Sequence, residues 1–306
     1  NYLFKVLKLY LFRKISTIFF RKDRFALFRE NKPFHLSPYD HPDIYPGPRI
    51  DCSFLFLQKQ AHKMEETKGV PFEHLFVHNT NTKTIALKDI LNGRSIEDKV
   101  PVIGYGSNAC LAQLQYKFSL RPQEDDFTVC MRATIEDSDI VYGPFLAPYG
   151  SVPAVIAPVN GAKTEVWINF MDKKQLQLMN STEKGYELRE HDGGKVTLVN
   201  GEVFEKVYAY YVPNALCWNG EWIRFKDIPG VSPLKSLWQA DVLDEIKTAL
   251  ANGETREEFI HLLRWDYTFK EKVKRYLASM SDEFDHPDFH PCNDVFSLGE
   301  MSIGFK

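Results

Sequence analysis

A short glycine-containing loop is the part of the sequence best suited to chemistry. An apolar run leads into "GYGSNA", residues 104–109, which combines two glycines with a serine hydroxyl and an asparagine amide. Glycine lets a backbone approach a ligand closely. Backbone N–H groups and short polar side chains in such a loop bind carboxylates or stabilise an oxyanion. The pattern therefore predicts an anion-binding or carbonyl-binding loop centred on Ser107 and Asn108.

The same loop also matches the fingerprint of a dinucleotide-binding fold. Gly104, Gly106 and Ala109 satisfy G-x-G-x-x-A after an apolar strand, and Glu124 lies near the spacing expected for a ribose-binding acid. That acid precedes the next strong strand instead of following it, and the next hundred residues lack the alternation of strands and helices that the fold requires. A dinucleotide-binding oxidoreductase is therefore only a third hypothesis.

Two further interpretations of the loop concern its serine and its glycines. A serine nucleophile elbow requires glycines two residues before and two residues after Ser107, and Tyr105 and Ala109 occupy those positions. The elbow is therefore excluded. A tight turn without any function also explains Gly104 and Gly106, since paired glycines often serve that purpose.

Three motifs in order along the chain resemble the gamma-glutamylcyclotransferase-like superfamily. These are "YGSN" at residues 105–108, a strand with Val166 and Trp167 after a glycine, and the acid-bearing segment "MNSTEKGYELRE" at residues 179–190. The family has Y-G-S-N, then G-x-V-W, then L-D-x-x-E-G with a tyrosine nearby. The resemblance covers residues 100–212. It implies an α+β fold with a β-rich mixed core that is barrel-like.

The resemblance also implies a set of site residues. Glu183 corresponds to the catalytic acid of the family. The substrate-binding residues would be Tyr105, Gly106, Ser107, Asn108 and Tyr186.

The acid-bearing segment departs from the family pattern at three positions. Asn180 replaces the aspartate of the family, Lys184 replaces the glycine that follows the glutamate, and Tyr186 comes earlier in the chain than the tyrosine of the family. Glu187 and Glu190 are therefore kept as alternative acids.

The implied reaction needs no metal and no cofactor. The free α-amine of a γ-glutamyl group attacks its own side-chain carbonyl, which closes 5-oxoproline and releases an amine or an amino acid. Since the nucleophile and the electrophile belong to one molecule, holding the folded conformer supplies most of the acceleration. One carboxylate can take the proton from the ammonium and return it to the leaving nitrogen. A second hypothesis keeps the fold as a non-catalytic module that binds a carboxylate or an amide.

The composition excludes several classes of protein. The 306 residues carry a net charge of −3, which gives no basic field for a nucleic-acid backbone. The five cysteines form no CxxC pair, so neither a disulfide framework nor a zinc ribbon is indicated. The sequence "DHPDFHPC" at residues 285–292 brings two histidines and a cysteine together, but its prolines argue against the helix that a metal site there would need. The cysteine usage is typical of a cytoplasmic protein, and the resemblance described above implies a small-molecule γ-glutamyl substrate.

The chain divides into three predicted regions. Residues 1–99 form an N-terminal extension, residues 100–215 a β-rich core of short strands, and residues 216–306 a C-terminal region with two packed helices and an irregular acidic tail. Residues 1–24 carry seven Lys and Arg residues beside apolar residues in helical spacing. This segment is predicted to dock on the body of the protein or to contact an anionic membrane. Residues 32–49 contain five prolines and are predicted to be an irregular connector or surface wrap.

Overall fold

The computed structural model describes residues 29–78, 84–91, 96, 99–122 and 125–292. The strands that it contains are β1 (Phe54–Leu57), β2 (Gln60–Lys63), β3 (Phe76–His78), β4 (Thr84–Ala86), β5 (Val100–Gly104), β6 (Thr128–Tyr142), β7 (Ala154–Met171), β8 (Glu187–His191), β9 (Val196–Leu198), β10 (Val207–Tyr211), β11 (Asn214–Trp218), β12 (Glu221–Trp222), β13 (Arg224–Phe225), β14 (Gly230–Val231), β15 (Ser236–Leu237), β16 (Ser281–Glu283) and β17 (Phe289–Pro291). The α-helices are α1 (Leu87–Leu91), α2 (Leu111–Ser119), α3 (Lys173–Thr182), α4 (Gln239–Leu250), α5 (Arg256–Trp265) and α6 (Tyr267–Ala278).

One large mixed sheet organises the molecule, so the predicted α+β class is confirmed. Its strands run in the order β15-β13-β6-β7-β5-β10-β8-β17, with β1 and β9 pairing with β6 and β14 pairing with β7. The described strands do not close into a barrel, because β15 and β17 end the path without pairing with each other. The barrel-like core that we expected is therefore corrected to an open sheet. Strands from outside residues 100–215, including β1, β13 and β17, belong to it.

The two faces of the sheet carry different apolar clusters. Val166, Ile168 and Phe170 alternate along β7 and face a cluster that includes side chains of the three C-terminal helices α4, α5 and α6. Trp167, which lies between Val166 and Ile168 in the sequence, faces a second cluster that includes side chains of α2 and α3. Period-two alternation puts successive side chains on opposite faces. The alternation read in this strand is confirmed, and it assigns α2 and α3 to the face that bears Trp167.

The helices begin where the sequence provides caps. Thr255 and Glu258 form the predicted capping box at the start of α5, and Asp172 with Gln175 forms another at the start of α3. The C-terminal region contains three helices instead of the two expected, because Asp266 caps a new helix directly after α5. The tail, which was expected to be irregular, contributes β17 to the main sheet.

The N-terminal strap, residues 29–50, is irregular as its prolines predict, apart from a short 3-10 helix, Pro42–Ile44. Residues 36–38 and 42–48 are buried, whereas residues 30, 31, 34, 35 and 40 are exposed. Asp43 forms an ion pair with Arg256, and the Ser37 hydroxyl donates a hydrogen bond to Gln113 at 2.9 Å. The strap therefore lies between α5 on one side and α2 on the other, and it reaches the glycine loop.

Among the described helices, none is both long enough and apolar enough to cross a membrane. The basic segment 1–24 lies outside the described residues, and its predicted contact stays a prediction.

Candidate functional site

The glycine loop connects β5 to α2 through a 3-10 helix, Ser107–Ala109. A Cβ atom at Gly104 would lie 2.9 Å from Nδ2 of Asn169, and this amide donates a hydrogen bond to the carbonyl of Asn108 at 3.1 Å. A Cβ atom at Gly106 would lie 2.8 Å from the hydroxyl oxygen of Tyr45. A side chain at either position would therefore displace a neighbouring side chain, Asn169 at position 104 and Tyr45 at position 106.

Glu183 lies beside this loop, as the resemblance implied. It follows α3 as the C-cap residue, and its side chain is 16% exposed. Its Oε1 atom accepts a hydrogen bond from Nδ2 of Asn108 at 3.1 Å. The capping box at Asp172 fixes where α3 begins, and the length of the helix then carries Glu183 to the loop. Two of the predicted site residues, 75 positions apart, are therefore in direct contact.

Lys117 is a third member of this contact and was not identified from the sequence. Its Nζ atom lies 2.6 Å from Oδ1 of Asn108 and also contacts Oε1 of Glu183. The side chain is only 4% exposed. A signal was present, because Leu114, three positions before Lys117 on the same helix face, is an apolar residue, and it is buried. A lysine within an apolar stripe indicates a buried partner.

The hydroxyl groups of Tyr105 and Tyr186 donate hydrogen bonds to backbone carbonyls. The Tyr105 hydroxyl donates to the carbonyl of Tyr210 at 2.5 Å, and that of Tyr186 donates to the carbonyl of Ala154 at 2.7 Å. Burial raises the pKa of both phenols well above the usual value, with neighbouring tyrosines and Glu183 adding to the shift. Both phenols therefore stay protonated at neutral pH, and they hold the site in place through β10 and β7.

Tyr45 brings a third phenol from the strap to the loop. The backbone N–H of Ala154 donates to its hydroxyl oxygen at 3.1 Å, and burial raises its pKa. Ser107 is half-buried nearby. The wall of the site is therefore made of neutral phenols, with the Glu183 carboxylate in contact with the Asn108 amide and the Lys117 ammonium.

Arg49, also from the strap, lies behind the loop. Its Nη2 atom donates to the carbonyl of Tyr105 and approaches that of Gly106 at 3.4 Å, and its guanidinium stacks 5.3 Å from the ring centre of Trp167. Burial lowers the pKa of Arg49 to about 10, so it stays charged at neutral pH. In a trans peptide the N–H points away from the carbonyl. Binding the Tyr105 carbonyl therefore turns the N–H of Gly106 away from Arg49.

The alternative acids have other partners. Glu187 pairs with Arg189 at 2.9 Å, and Glu190 pairs with Lys206 at 3.0 Å. Of the predicted acids, Glu183 is the one in contact with the loop.

The structure shows the surroundings of two of the departures from the family pattern. Asn180 accepts a hydrogen bond from the Tyr210 hydroxyl at 2.6 Å, and Lys184 is exposed.

The histidine-rich sequence near the C-terminus does not gather metal ligands. His286 is buried with Nε2 at 3.1 Å from the Ser138 hydroxyl, whereas His290 is half-exposed beside Asp192. In the part of the chain that the structure describes, no group of three or more His, Cys, Asp or Glu residues is arranged to hold a metal ion.

The strand order around the loop differs from that of a dinucleotide-binding fold. β5 pairs in antiparallel fashion with β7 and in parallel with β10, whereas β6, the strand after α2, pairs with β7. The expected ribose-binding acid, Glu124, lies outside the described residues. Comparison with protein-family models, curated proteins and solved structures found no match to this chain.

Proposed function

We propose that the chain is a cofactor-free enzyme resembling the gamma-glutamylcyclotransferases, which cyclises a γ-glutamyl group to 5-oxoproline and releases an amine or an amino acid. The observation that carries the proposal is the contact of Glu183 with Asn108 in the "YGSN" loop. The carboxylate has a second oxygen, Oε2, that makes no hydrogen bond to the described residues. This oxygen can receive a proton from a bound ammonium.

The loop supplies hydrogen-bond donors for the carbonyl oxygen of the substrate. Among the described residues, the N–H groups of Gly106 and Asn108 donate to no backbone carbonyl. As the α-amine attacks the γ-carbonyl, negative charge develops on the carbonyl oxygen, and N–H groups directed at it stabilise that charge. The Ser107 hydroxyl, on the same loop, is hydrogen-bonded to Tyr149. Arg49 keeps the loop in this orientation because it binds the carbonyls of Tyr105 and Gly106, on the other side of the loop.

Glu183 completes the proton balance. The attacking nitrogen loses two protons, one before the attack and one as the ring amide forms, and Glu183 passes both in turn to the leaving nitrogen, so that the C–N bond to the leaving group breaks as the ring C–N bond is retained. No oxidant, metal or cofactor enters these steps. All five cysteines are free, and we propose a cytoplasmic location, where thiols stay reduced, and a substrate related to glutathione metabolism.

The test is release of 5-oxoproline from a panel of γ-glutamyl peptides and amines. We expect turnover by the unmodified chain that persists in EDTA. Loss of activity on chelation, with stoichiometric zinc in the purified protein, would contradict the proposal.

A binding module is the second candidate function, and one observation favours it. Lys117 contacts the Glu183 carboxylate, and the Tyr45 hydroxyl lies against Gly106, so the chain's own groups occupy part of the site. Saturable binding of a γ-glutamyl compound by calorimetry, with no 5-oxoproline formed from any substrate, would select this function.

A further inference from the structure

The Lys117 amine and the Asn108 side-chain amide both contact one carboxylate oxygen, Oε1 of Glu183. We propose that these two residues form an intramolecular isopeptide bond, with Glu183 transferring the proton. The bond would join the loop to α2 across nine positions of the chain. This inference goes beyond the proposed function and does not depend on turnover of any external substrate.

The distances bring the reacting atoms together. Nζ of Lys117 lies 2.6 Å from Oδ1 of Asn108. Since a C=O bond is about 1.23 Å long, Nζ lies no more than about 3.8 Å from the Asn108 carbonyl carbon. Atoms at about 3 to 3.5 Å are in near-attack positions. For attack, the amine has to move from its hydrogen-bonding position beside Oδ1 to a position above the amide plane.

Glu183 is positioned to move the proton. Its Oε1 atom contacts both the nucleophile, Nζ of Lys117, and the leaving nitrogen, Nδ2 of Asn108, at 3.1 Å. One carboxylate oxygen therefore reaches the group that must lose a proton and the group that must gain one. This is the arrangement that general acid–base catalysis of an amide exchange requires.

Release of the leaving group drives the step towards the product. The Lys117 side chain is 4% exposed, and α2 packs Leu114 and Phe118 into the apolar cluster around Trp167. Conversion to a neutral amide removes the desolvation cost of the ammonium but leaves the Glu183 carboxylate, 16% exposed, without its counter-ion. The loss of the leaving nitrogen into bulk water is therefore what makes the step effectively irreversible.

The atoms and charges balance without a further reactant. The Lys117 ammonium gives one proton to Glu183, and the neutral amine attacks the Asn108 carbonyl carbon. As the new C–N bond forms, Glu183 passes this proton to Nδ2 and takes a second proton from the Lys117 nitrogen, which becomes the amide N–H. The bond from the carbon to Nδ2 breaks, and the second proton leaves with the departing nitrogen as an ammonium ion. Glu183 ends as a carboxylate, and its neighbour is then an amide instead of an ammonium.

The experiment is the intact mass of the purified full chain. We expect a mass about 17 Da below the calculated value, the mass of one ammonia. Tryptic digestion should show no cleavage after Lys117 and no backbone fragment ions between residues 108 and 117. Glu183→Gln, which cannot carry the proton, and Lys117→Arg, which has no nucleophilic amine, should have their full calculated masses. Lys59→Arg, at an exposed lysine, is the matched control and should keep the deficit.

Two results would overturn the proposal. One is the full calculated mass in the unmodified chain after prolonged incubation at mildly alkaline pH. The other is a deficit that maps elsewhere, for example to Asn200 or Asn219, which precede glycine and can lose ammonia by forming a succinimide. Alkaline hydrolysis reverses a succinimide deficit but leaves an isopeptide bond intact. The measurement uses no 5-oxoproline assay, so it stands whether or not the proposed enzymatic activity is found.

Discussion

The hydroxyl oxygen of Tyr45 lies 2.8 Å from the position that a Cβ atom at Gly106 would occupy. A contact this short leaves no room for a methyl group. The glycine in the "YGSN" loop therefore packs against the Tyr45 phenol, which belongs to the strap and lies 61 positions earlier in the chain.

Gly106→Ala should destabilise the protein by about 1 to 3 kcal/mol, because the added methyl group displaces Tyr45. The measurement is the free energy of unfolding in urea. Gly194→Ala is the control, since a Cβ there meets nothing within 4 Å. In a Tyr45→Phe background the hydroxyl is absent and the cost of Gly106→Ala should fall, which a double-mutant cycle detects. Equal costs in the two backgrounds would show that the contact is unimportant.

Glu183→Gln should lower the turnover of a γ-glutamyl substrate by a factor on the order of 10² to 10⁴. Glutamine keeps the size of glutamate but cannot accept the ammonium proton. Ser107→Ala should reduce binding more modestly, because the backbone donors of the loop remain. The assay is release of 5-oxoproline. Glu187→Gln and Glu190→Gln are parallel controls that should retain activity. If one of these controls loses activity while the Glu183 variant keeps it, the substituted residue of that control is the catalytic acid instead of Glu183.

Asp139→Asn should cost about 3 to 5 kcal/mol of stability, because it leaves the guanidinium of Arg224 buried without its counter-ion. The two groups are 2.8 Å apart, and their side chains are 0% and 10% exposed. Glu136→Gln breaks the exposed pair with Lys163 and should change stability by less than about 1 kcal/mol. Chemical denaturation compares the two variants, and similar losses would rule out a special contribution from the buried pair.

The stability of the protein should fall as the pH decreases from about 6.5 to about 4. Burial lowers the pKa of His286 to about 4 in the folded chain, whereas an unfolded histidine titrates near 6.5. The folded state therefore favours neutral His286, and its contribution is complete above pH 6.5 and lost as the pH falls towards 4. The total effect is of the order of 3 kcal/mol.

His286→Gln should reduce this pH dependence. His74→Gln, at a half-exposed histidine, should leave it unchanged. The urea midpoint measured between pH 4 and pH 8 gives the slope for each variant. An identical slope in the unmodified chain and in His286→Gln would assign the effect to other groups, of which His191, whose pKa burial also lowers, is the next to test.

The sequence by itself determined the local features of this protein. Alternation along β7, the capping box at Thr255 and Glu258, and the glycine loop after an apolar strand all depend on residues close together in the chain. The resemblance of the "YGSN" loop and the Glu183 segment to one family also placed two distant parts of the chain in one predicted site, and the structure brings Glu183 and Asn108 into contact.

Only the tertiary structure decided what surrounds that contact. Arg49 reaches the Tyr105 carbonyl from 56 positions away, and Lys117 meets Glu183 from 66 positions away, because the order of strands in the sheet brings the strap, α2 and the end of α3 to one place. No periodicity or cap specifies such contacts. They depend on which elements share a face of the sheet, and that follows from burying the whole apolar surface at once.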